Sequence, residues 1–208
     1  MSRAETAAVA PGVAALDRLA AALLAGVALD VRLARDEEER AATFRLRARH
    51  VVHGGWIAAD RVPDGVERDD YDDDALHIAA WDGTQLAGTM RIVLPEPARL
   101  LPVEEAFDLR IEPCGAVVEA GRLVIGPAYR GDPAHAIWGA LYALAWQTMR
   151  PLGFSVLAGA VPPGLLERML AVGLPFEALG PAQVHWGQLR HPVRLDPARG
   201  TPGWFSAG

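Results

Sequence analysis

The sequence predicts a single α/β domain over residues 1–208, with a central mixed sheet and helices on both faces. The length of 208 residues, with 51% hydrophobic and 22% charged residues, suits one packed domain and is short for two. The first half contains a strong hairpin signal between two strand-like runs. The second half alternates strand-like and helix-like runs, which favours a parallel βαβ unit.

The first 26 residues predict an amphipathic helix that packs on the rest of the domain, because Leu16, Leu19 and Leu23 recur at helical spacing. Asp17 and Arg18 interrupt this segment, which excludes an export signal and a membrane span. A helix lying on a membrane surface is the less favoured alternative, since the polar face lacks the basic residues that anionic lipids attract.

The next elements are a strand, a helix and a hairpin. Residues 27–33 alternate apolar and polar side chains, as a half-buried strand does. Asp36 then caps a helix that runs to about Val52 and ends at Gly54. The runs 75–81 and 85–94 predict two strands, and Asp82-Gly83 between them predicts a type I′ turn.

Beyond this hairpin, prolines at 95, 97 and 102 predict an irregular crossing. The next predicted elements are a strand over residues 117–125, a helix over residues 134–149 and a strand over residues 154–159. A helix then starts at Pro162-Pro163 and ends near Gly173, and a final strand covers residues 184–195.

Composition excludes several kinds of chemistry. All twenty basic residues are arginine, so the chain has no Walker A lysine, no lysine for a Schiff base and no lysine general base. Serine occurs only at positions 2, 155 and 206, and none lies in a nucleophile elbow. The net charge of −6 argues against a nucleic-acid partner. The single cysteine, Cys114, excludes an internal disulfide and indicates a cytoplasmic protein.

No metal site is predicted. The run Asp70-x-Asp72-x-Asp74 lacks the glycine and the bidentate glutamate of a calcium loop. The six histidines show no zinc-ligand spacing, so we interpret most of them as structural. Cys114 is likewise interpreted as a small structural residue rather than a nucleophile.

The most informative residues are charges at the edges of apolar strands, in Glu67-Arg68-Asp69-Asp70-Tyr71-Asp72 and Glu119-Ala120-Gly121-Arg122. Charged side chains at such positions cost free energy of folding, so we expect them to bind a ligand or take part in chemistry. The spacings Glu-x-Asp-x-Tyr-Asp and Glu-x-x-Arg resemble the signature of the acyl-homoserine-lactone synthases. These enzymes are a branch of the GNAT acyltransferase superfamily. The residues that match the pattern are Arg47, Trp56, Asp69, Asp72, Arg91, Glu119 and Arg122.

The resemblance implies a GNAT fold and an enzyme that moves a fatty acyl group from an acyl carrier protein to an amine. The implied acceptor is S-adenosylmethionine, which gives an acyl-homoserine lactone for autoinducer synthesis in quorum sensing, or a free amino acid, which gives an N-acyl amino acid. Glu119 is the candidate base, and the amide near Gly121 to Arg122 is the candidate oxyanion donor. Asp69 and Asp72 would hold the cationic acceptor, while Arg47, Arg91 and Arg122 would bind its carboxylate and brace the aspartates.

Glu119 and Arg122 raise a geometric problem, because residues three apart in a regular strand face opposite sides. We expect Gly121 to be the extra residue of a β-bulge, which would bring both side chains to one face.

The donor is predicted from the segment that follows. Coenzyme-A-dependent GNAT members have a second glycine where this chain has Asp132-Pro133. Proline lacks the amide donor and aspartate repels phosphate, which favours the phosphopantetheine arm of a carrier protein. Acyl-coenzyme A is the alternative donor, and no permanently bound cofactor is expected. Arg130 would contact the arm's phosphate, and with Arg150 and Arg168 it would form a docking patch for the acidic carrier protein.

Two other functions are carried as alternatives. One is a coenzyme-A-dependent GNAT N-acetyltransferase, against which Asp132-Pro133 counts. The other is a non-catalytic GNAT-like binding domain, against which the matched charges count.

Overall fold

A computed structural model of the protein describes residues 10–171 and 173–199. The five α-helices in these residues are α1 (Pro11–Ala25), α2 (Glu37–His53), α3 (Pro102–Phe107), α4 (Asp132–Met149) and α5 (Pro163–Ala171). The eight strands there are β1 (Asp30–Leu33), β2 (Leu76–Asp82), β3 (Gln85–Val93), β4 (Val117–Ile125), β5 (Val156–Val161), β6 (Phe176–Ala178), β7 (Gln183–His185) and β8 (Gln188–Leu195). The part of the predicted first helix over residues 1–9 lies outside the described residues.

The strands form a mixed sheet in the order β1-β2-β3-β4-β5-β8-β6, with β7 paired to β8 beside this path. The pairs from β1 to β4 are antiparallel, whereas β4 and β5 are parallel and α4 connects them. The predicted α/β fold with a mixed sheet is therefore confirmed.

The two faces of the sheet carry different cores, because side chains alternate along each strand. Met90 and Ile92 of β3 point into the larger core, which α1, α4 and α5 cover. Arg91 and Val93 lie on the other face, where α2 and α3 pack and a smaller core includes Phe107. Helices thus cover both faces, as predicted.

The strands β4 and β5 pair over only three residues, from Val117 opposite Val156 to Glu119 opposite Ala158. β4 continues to Ile125 without pairing to β5. At the point of separation, a Cβ atom on Gly159 would lie 2.6 Å from the Ala120 carbonyl oxygen, so the close approach of the strands requires glycine there. The separation leaves a gap in the sheet directly beyond Glu119.

Three predictions of local structure are wrong. The crossing after Pro95 contains the short helix α3, and the strand predicted over residues 184–195 is a hairpin that turns at Trp186 and Gly187. In the hairpin between β2 and β3 only Gly83 has positive φ, so the turn there is not type I′.

No helix among the described residues is long and apolar enough to cross a bilayer.

Candidate active site

The structure brings most of the predicted charges together on the face of the sheet that α2 and α3 cover. Arg47 comes from α2, Arg91 from β3, and Glu119 and Arg122 from β4. The acidic segment reaches the same place as a loop that precedes β2. Its fold is local: the Asp69 backbone amide donates to Asp72 at 2.9 Å, and the Tyr71 amide donates to Asp69 at 3.0 Å.

The inner layer of this network is a buried ion pair between Arg47 and Asp72. Arg47 donates to both oxygens of Asp72, at 2.7 and 2.8 Å, and also donates to Glu67. The Arg47 side chain is 1% exposed and that of Asp72 is 0% exposed. Burial opposes ionisation of Asp72, but the hydrogen bonds and charge of Arg47, with the charge of Arg91, outweigh it and lower the pKa of Asp72.

The outer layer consists of Asp69 with two arginines. Arg91 donates to Asp69 at 2.5 Å, and Arg122 donates to the other oxygen of Asp69 at 2.7 Å. Arg122 also reaches Glu67 at 3.2 Å, which joins the two layers. Asp69 is 29% exposed and Arg122 is 13% exposed, so this layer borders solvent. Glu67, to which the sequence analysis gives no role, is a full member of the network.

A β-bulge in β4 places Arg122 on this face. Thr89 pairs with Val124 and Arg91 pairs with Gly121, so Met90 alone lies opposite Arg122 and Leu123. Arg122 has φ of 52°, the left-handed conformation. The predicted bulge is present, but Gly121 is a paired residue and not the extra one. The left-handed conformation falls on Arg122 instead, which is strained for a residue with a long side chain.

Glu119 is buried beside the network, and its Oε2 accepts a hydrogen bond from the Val103 amide of α3 at 2.7 Å. Burial raises the pKa of Glu119 to about 7, while the Val103 amide and the charges of Arg91 and Arg122 act in the opposite direction. Its Oε1 faces Gly121, where a Cβ atom would lie 3.1 Å from it. A carboxyl group that titrates near neutral pH is suited to general acid–base catalysis.

A cleft of about 380 Å³ opens beside the outer layer. The charged and histidine side chains that line the cleft are Asp69, Asp70, Glu105, Arg122 and His185. Burial and the charges of Arg122 and Arg190 lower the pKa of His185 to about 4, so its imidazole is neutral at neutral pH. A lining with charges of both signs suits a ligand that carries both a positive and a negative group.

Two aromatic residues close one end of the site. The guanidinium of Arg122 lies 4.0 Å from the ring centroid of Trp186, which is at the tip of the β7–β8 hairpin. The Trp186 and Trp56 ring centroids are 6.0 Å apart. A Cβ atom on Gly187 would lie 2.1 Å from Cγ of Trp56, so the hairpin and Trp56 are in direct contact. Trp56 therefore reaches the charged network through Trp186, a residue that the sequence analysis does not single out.

Arg130 is separate from this network. Its Nη2 lies 3.3 Å from Nδ1 of His50, and the residue is exposed just before α4 begins. Burial, with the charges of Arg130 and Arg190, lowers the pKa of His50. Arg150 follows the other end of α4, a helix of 18 residues that is roughly 27 Å long. The predicted patch of Arg130, Arg150 and Arg168 is therefore not one compact surface.

In residues 10–171 and 173–199, no group of three or more histidine, cysteine, aspartate or glutamate side chains is arranged to hold a metal ion.

Residues 46–139 match the family model described as an acetyltransferase (GNAT) domain. This segment contains every charged residue of the network and the bulge of β4. Residues 46–139 are therefore similar to a GNAT acetyltransferase domain, and the predictions of a GNAT fold and of a GNAT-type acyltransferase are confirmed. A comparison with curated proteins finds no match.

Solved structures with the same fold include the acyltransferases that the sequence pattern resembles. The AHL synthase LasI has a TM-score of 0.69 at 21% identity, over 88% of this chain and 97% of that one. BjaI, described as a CoA-dependent acyl-homoserine lactone synthase and solved with SAM and isopentyl-CoA, has a TM-score of 0.61 at 23% identity, over 78% of each chain. FeeM, an N-acyl amino acid synthase from uncultured soil microbes, has a TM-score of 0.57 at 17% identity, over 82% of this chain and 92% of that one. This chain therefore shares its fold with solved structures of that branch.

Proposed function

We propose that this chain is an N-acyltransferase that moves a fatty acyl group from a thioester donor to the amine of an amino-acid-like acceptor. The observation that carries the proposal is the position of Glu119. Its buried carboxyl group, with a pKa of about 7, lies between the charged network and the gap where β4 leaves β5.

The acceptor binds in the cleft beside the outer layer. Its ammonium group lies toward the carboxylates that line the cleft, those of Asp69, Asp70 and Glu105. Its carboxylate lies toward Arg122, which also lines the cleft. Arg91 supports this orientation, since its Nε and Nη2 atoms are buried without a protein hydrogen-bond partner.

Asp72 and Arg47 have a different role. Both side chains are almost fully buried, so neither has surface to offer an acceptor. They brace the loop that carries Asp69 instead, because Asp72 accepts from the Asp69 amide and from Arg47 at once. Trp56 acts indirectly, because it packs against the hairpin that carries Trp186.

Chemistry occurs at the gap between β4 and β5. The thioester carbonyl lies against β4 beyond Glu119, where the bulge at Arg122 frees backbone amide groups that stabilise the oxyanion. Glu119 accepts the proton that the ammonium group must lose before the amine attacks. The amine nitrogen forms the amide bond with the acyl carbon, and the carbon–sulfur bond breaks to release the thiol.

The acyl carrier protein is the favoured donor. Gly131, with φ of 95°, leads into α4, and Pro133 in its first turn has no amide hydrogen. Asp132 adds negative charge at that helix start, where a pyrophosphate of coenzyme A would lie. The exposed Arg130 is available to the single phosphate of a phosphopantetheine arm.

The test is incubation of the full chain with matched acyl carrier protein and acyl-coenzyme A donors, separately with S-adenosylmethionine and with free amino acids, followed by mass spectrometry of the products. We expect an acylated amine from the carrier protein, and Glu119→Gln should abolish it. A strong preference for acyl-coenzyme A would overturn the donor assignment. The absence of an acylated amine under every condition would overturn the proposed function.

A further inference from the structure

Arg190, on β8, is a half-buried arginine that pairs with no carboxylate. Among the arginines that the structure describes, it is the only one that is not exposed and forms no ion pair. Its guanidinium donates to neutral oxygens, namely the carbonyls of His185 at 3.2 Å and Ala160 at 3.3 Å and the Gln188 side chain at 3.3 Å. A desolvated cation without a counter-ion costs free energy of folding, so we expect an anion to meet it during the reaction.

The guanidinium of Arg190 lies at the gap between β4 and β5. Ala160, whose carbonyl it contacts, is two residues beyond Ala158, the last residue of β5 that pairs with β4. The Leu179 amide donates to the Pro192 carbonyl at 2.8 Å, so the backbone of Pro192 faces β6. Ala160 lies directly opposite Pro192, and its carbonyl therefore faces away from β8 and into the gap. The guanidinium that binds this carbonyl forms part of the β5 wall of the gap.

The ionisable groups around this guanidinium are positive or neutral. Burial lowers the pKa of Arg190, and the charge of Arg122 on β4 adds to this effect, whereas Tyr142 opposes it. Burial, with charges that include that of Arg190, lowers the pKa of His50 and of His185, so both imidazoles are neutral at neutral pH. Burial raises the pKa of Tyr142 to about 12, which makes its phenol a weak acid. None of these groups is a ready proton donor, but the two arginines bring positive charge to the gap from both walls.

The donor's sulfur is the group that becomes an anion at this place. Arg190 does not line the cleft that the proposed function gives to the acceptor. The phosphate of the donor is assigned to the exposed Arg130, before the start of α4. In the gap itself, the backbone amides of the β4 bulge serve the oxyanion, and the remaining negative charge develops on the sulfur as the carbon–sulfur bond breaks.

We propose that Arg190 is a catalytic residue that stabilises the leaving thiolate in the gap between β4 and β5. This rests on the proposed function, which supplies the acyl thioester. After the amine nitrogen has attacked the acyl carbon, the carbon–sulfur bond breaks with its electron pair on the sulfur. The guanidinium stays protonated and donates hydrogen bonds to the thiolate. The proton that the nitrogen loses as the amide forms then neutralises the sulfur, so amine and thioester give amide and thiol with no further reactant.

The experiment varies the leaving group. Each protein is assayed with acyl thioesters of N-acetylcysteamine and of thiophenol, and with one fixed acceptor that the parent acylates. Thiophenol is the more acidic thiol, so it leaves more readily without help. Arg190→Gln should lose roughly 10²-fold in kcat with the alkyl thioester and less than about tenfold with the aryl thioester.

Two further variants control for charge and for folding. Arg190→Lys keeps the positive charge and should recover part of the loss with the alkyl thioester. Arg45→Gln makes the same change of charge at an exposed position of α2, and it should match the parent with both donors. Equal losses with the two thioesters in Arg190→Gln would show that Arg190 only supports the hairpin, and would overturn the proposal.

Binding of the product thiol separates this proposal from the proposed function. The dissociation constants of pantetheine and of its S-methyl thioether are measured from about pH 6 to about pH 9, with the parent and with Arg190→Gln. In the parent, pantetheine should bind more tightly as the pH rises, by up to about tenfold for each pH unit by which the site lowers the pKa of the thiol. The thioether cannot ionise, so its affinity should not follow this rise. In Arg190→Gln the two ligands should show the same pH dependence.

The two measurements together distinguish the outcomes. If no donor supports transfer but pantetheine and its thioether still differ in the parent alone, the thiolate site stands and the proposed function fails. If transfer occurs and the two ligands show parallel pH dependence in the parent, Arg190 does not stabilise the thiolate.

Discussion

Replacing Glu119 with glutamine should give an enzyme that is nearly inactive and yet more stable than the parent above neutral pH. Glutamine keeps an oxygen that can accept the Val103 amide hydrogen bond, so the packing of α3 on β4 is preserved. It removes a carboxyl group whose pKa rises from 4.5 to about 7 on folding. Activity and stability should therefore move in opposite directions.

The size of the stability effect follows from the pKa shift. The carboxyl group is protonated in both states below about pH 4.5, so it carries no penalty there. As the pH rises toward 7, the unfolded chain ionises first, and the folded protein loses about 3 kcal/mol at roughly 1.4 kcal/mol per pKa unit. Glu119→Gln does not ionise, so its free energy of unfolding should exceed that of the parent by up to about 3 kcal/mol at pH 8, and by little at pH 4.5.

Two measurements test this account of Glu119. Urea unfolding of both proteins between pH 4.5 and 8 gives the stability difference, and kcat/KM over the same range gives the catalytic effect. The parent should show an inflection near pH 7 below which the rate falls, and the variant should lack it after a loss of roughly 10²–10⁴-fold. A pH-independent stability difference, together with an inflection that survives in the variant, would show that another group titrates.

Three further substitutions test the surrounding geometry. Asp72→Asn should destabilise the protein by roughly 3–5 kcal/mol in urea unfolding at pH 7, because it removes the buried negative charge that Arg47 and Arg91 share, and wild-type stability would contradict the bracing role. Gly121→Ala should lower kcat roughly tenfold with a similar melting temperature, since the added methyl group displaces the proposed base, and an unchanged kcat would refute that contact. Gly187→Ala should raise KM for the acceptor and lower the melting temperature, because the added Cβ atom would overlap Trp56. Gly83→Ala is the control, since Gly83 has a similar φ and open space around it, and equal effects of the two substitutions would rule out the overlap.

The elements that the sequence predicts best are those in which local signals and burial agree. β4 runs from Val117 to Ile125 as predicted, and Asp36 caps α2 through a hydrogen bond from the Glu39 amide at 2.9 Å. The helix α3 is harder to predict because it has only six residues, begins at a proline and is held by tertiary contacts. The buried carboxylate of Glu104 accepts the amides of Leu101 and Ile111, at 2.8 Å each, and fixes the segment. The spacing of apolar residues along the sequence does not indicate such tertiary contacts.

The sequence likewise predicts only part of the site. The motif spacings identify the residues that form the ion pairs, but not the layering that buries Asp72 and leaves Asp69 at the cleft. The β7–β8 hairpin is missed because its turn uses Trp186 with φ of 53°, a conformation that tryptophan rarely adopts and that no turn signal anticipates. Gly187 is the only sequence signal for a turn there, and apolar side chains on both sides of it, such as Val184 and Leu189, favour one continuous strand.

The charge balance of the network explains why Glu119 is the group poised to accept a proton. Three carboxylates and three guanidinium groups pair among themselves, namely Glu67, Asp69 and Asp72 with Arg47, Arg91 and Arg122. Glu119 is a fourth carboxyl group with no arginine of its own, so its ionisation leaves a net negative charge in a buried site. An acceptor that enters as an ammonium ion brings the missing positive charge into the same site.

Transfer of one proton then removes both unpaired charges at once. An α-amine has a pKa of roughly 8 in water, which is about 3.5 units above an ordinary glutamate but only about 1 unit above Glu119. The burial that raises the pKa of Glu119 also disfavours the ammonium ion, which narrows the difference further. The neutral amine and the protonated Glu119 add no charge to the network, and the amine is free to attack at the gap between β4 and β5.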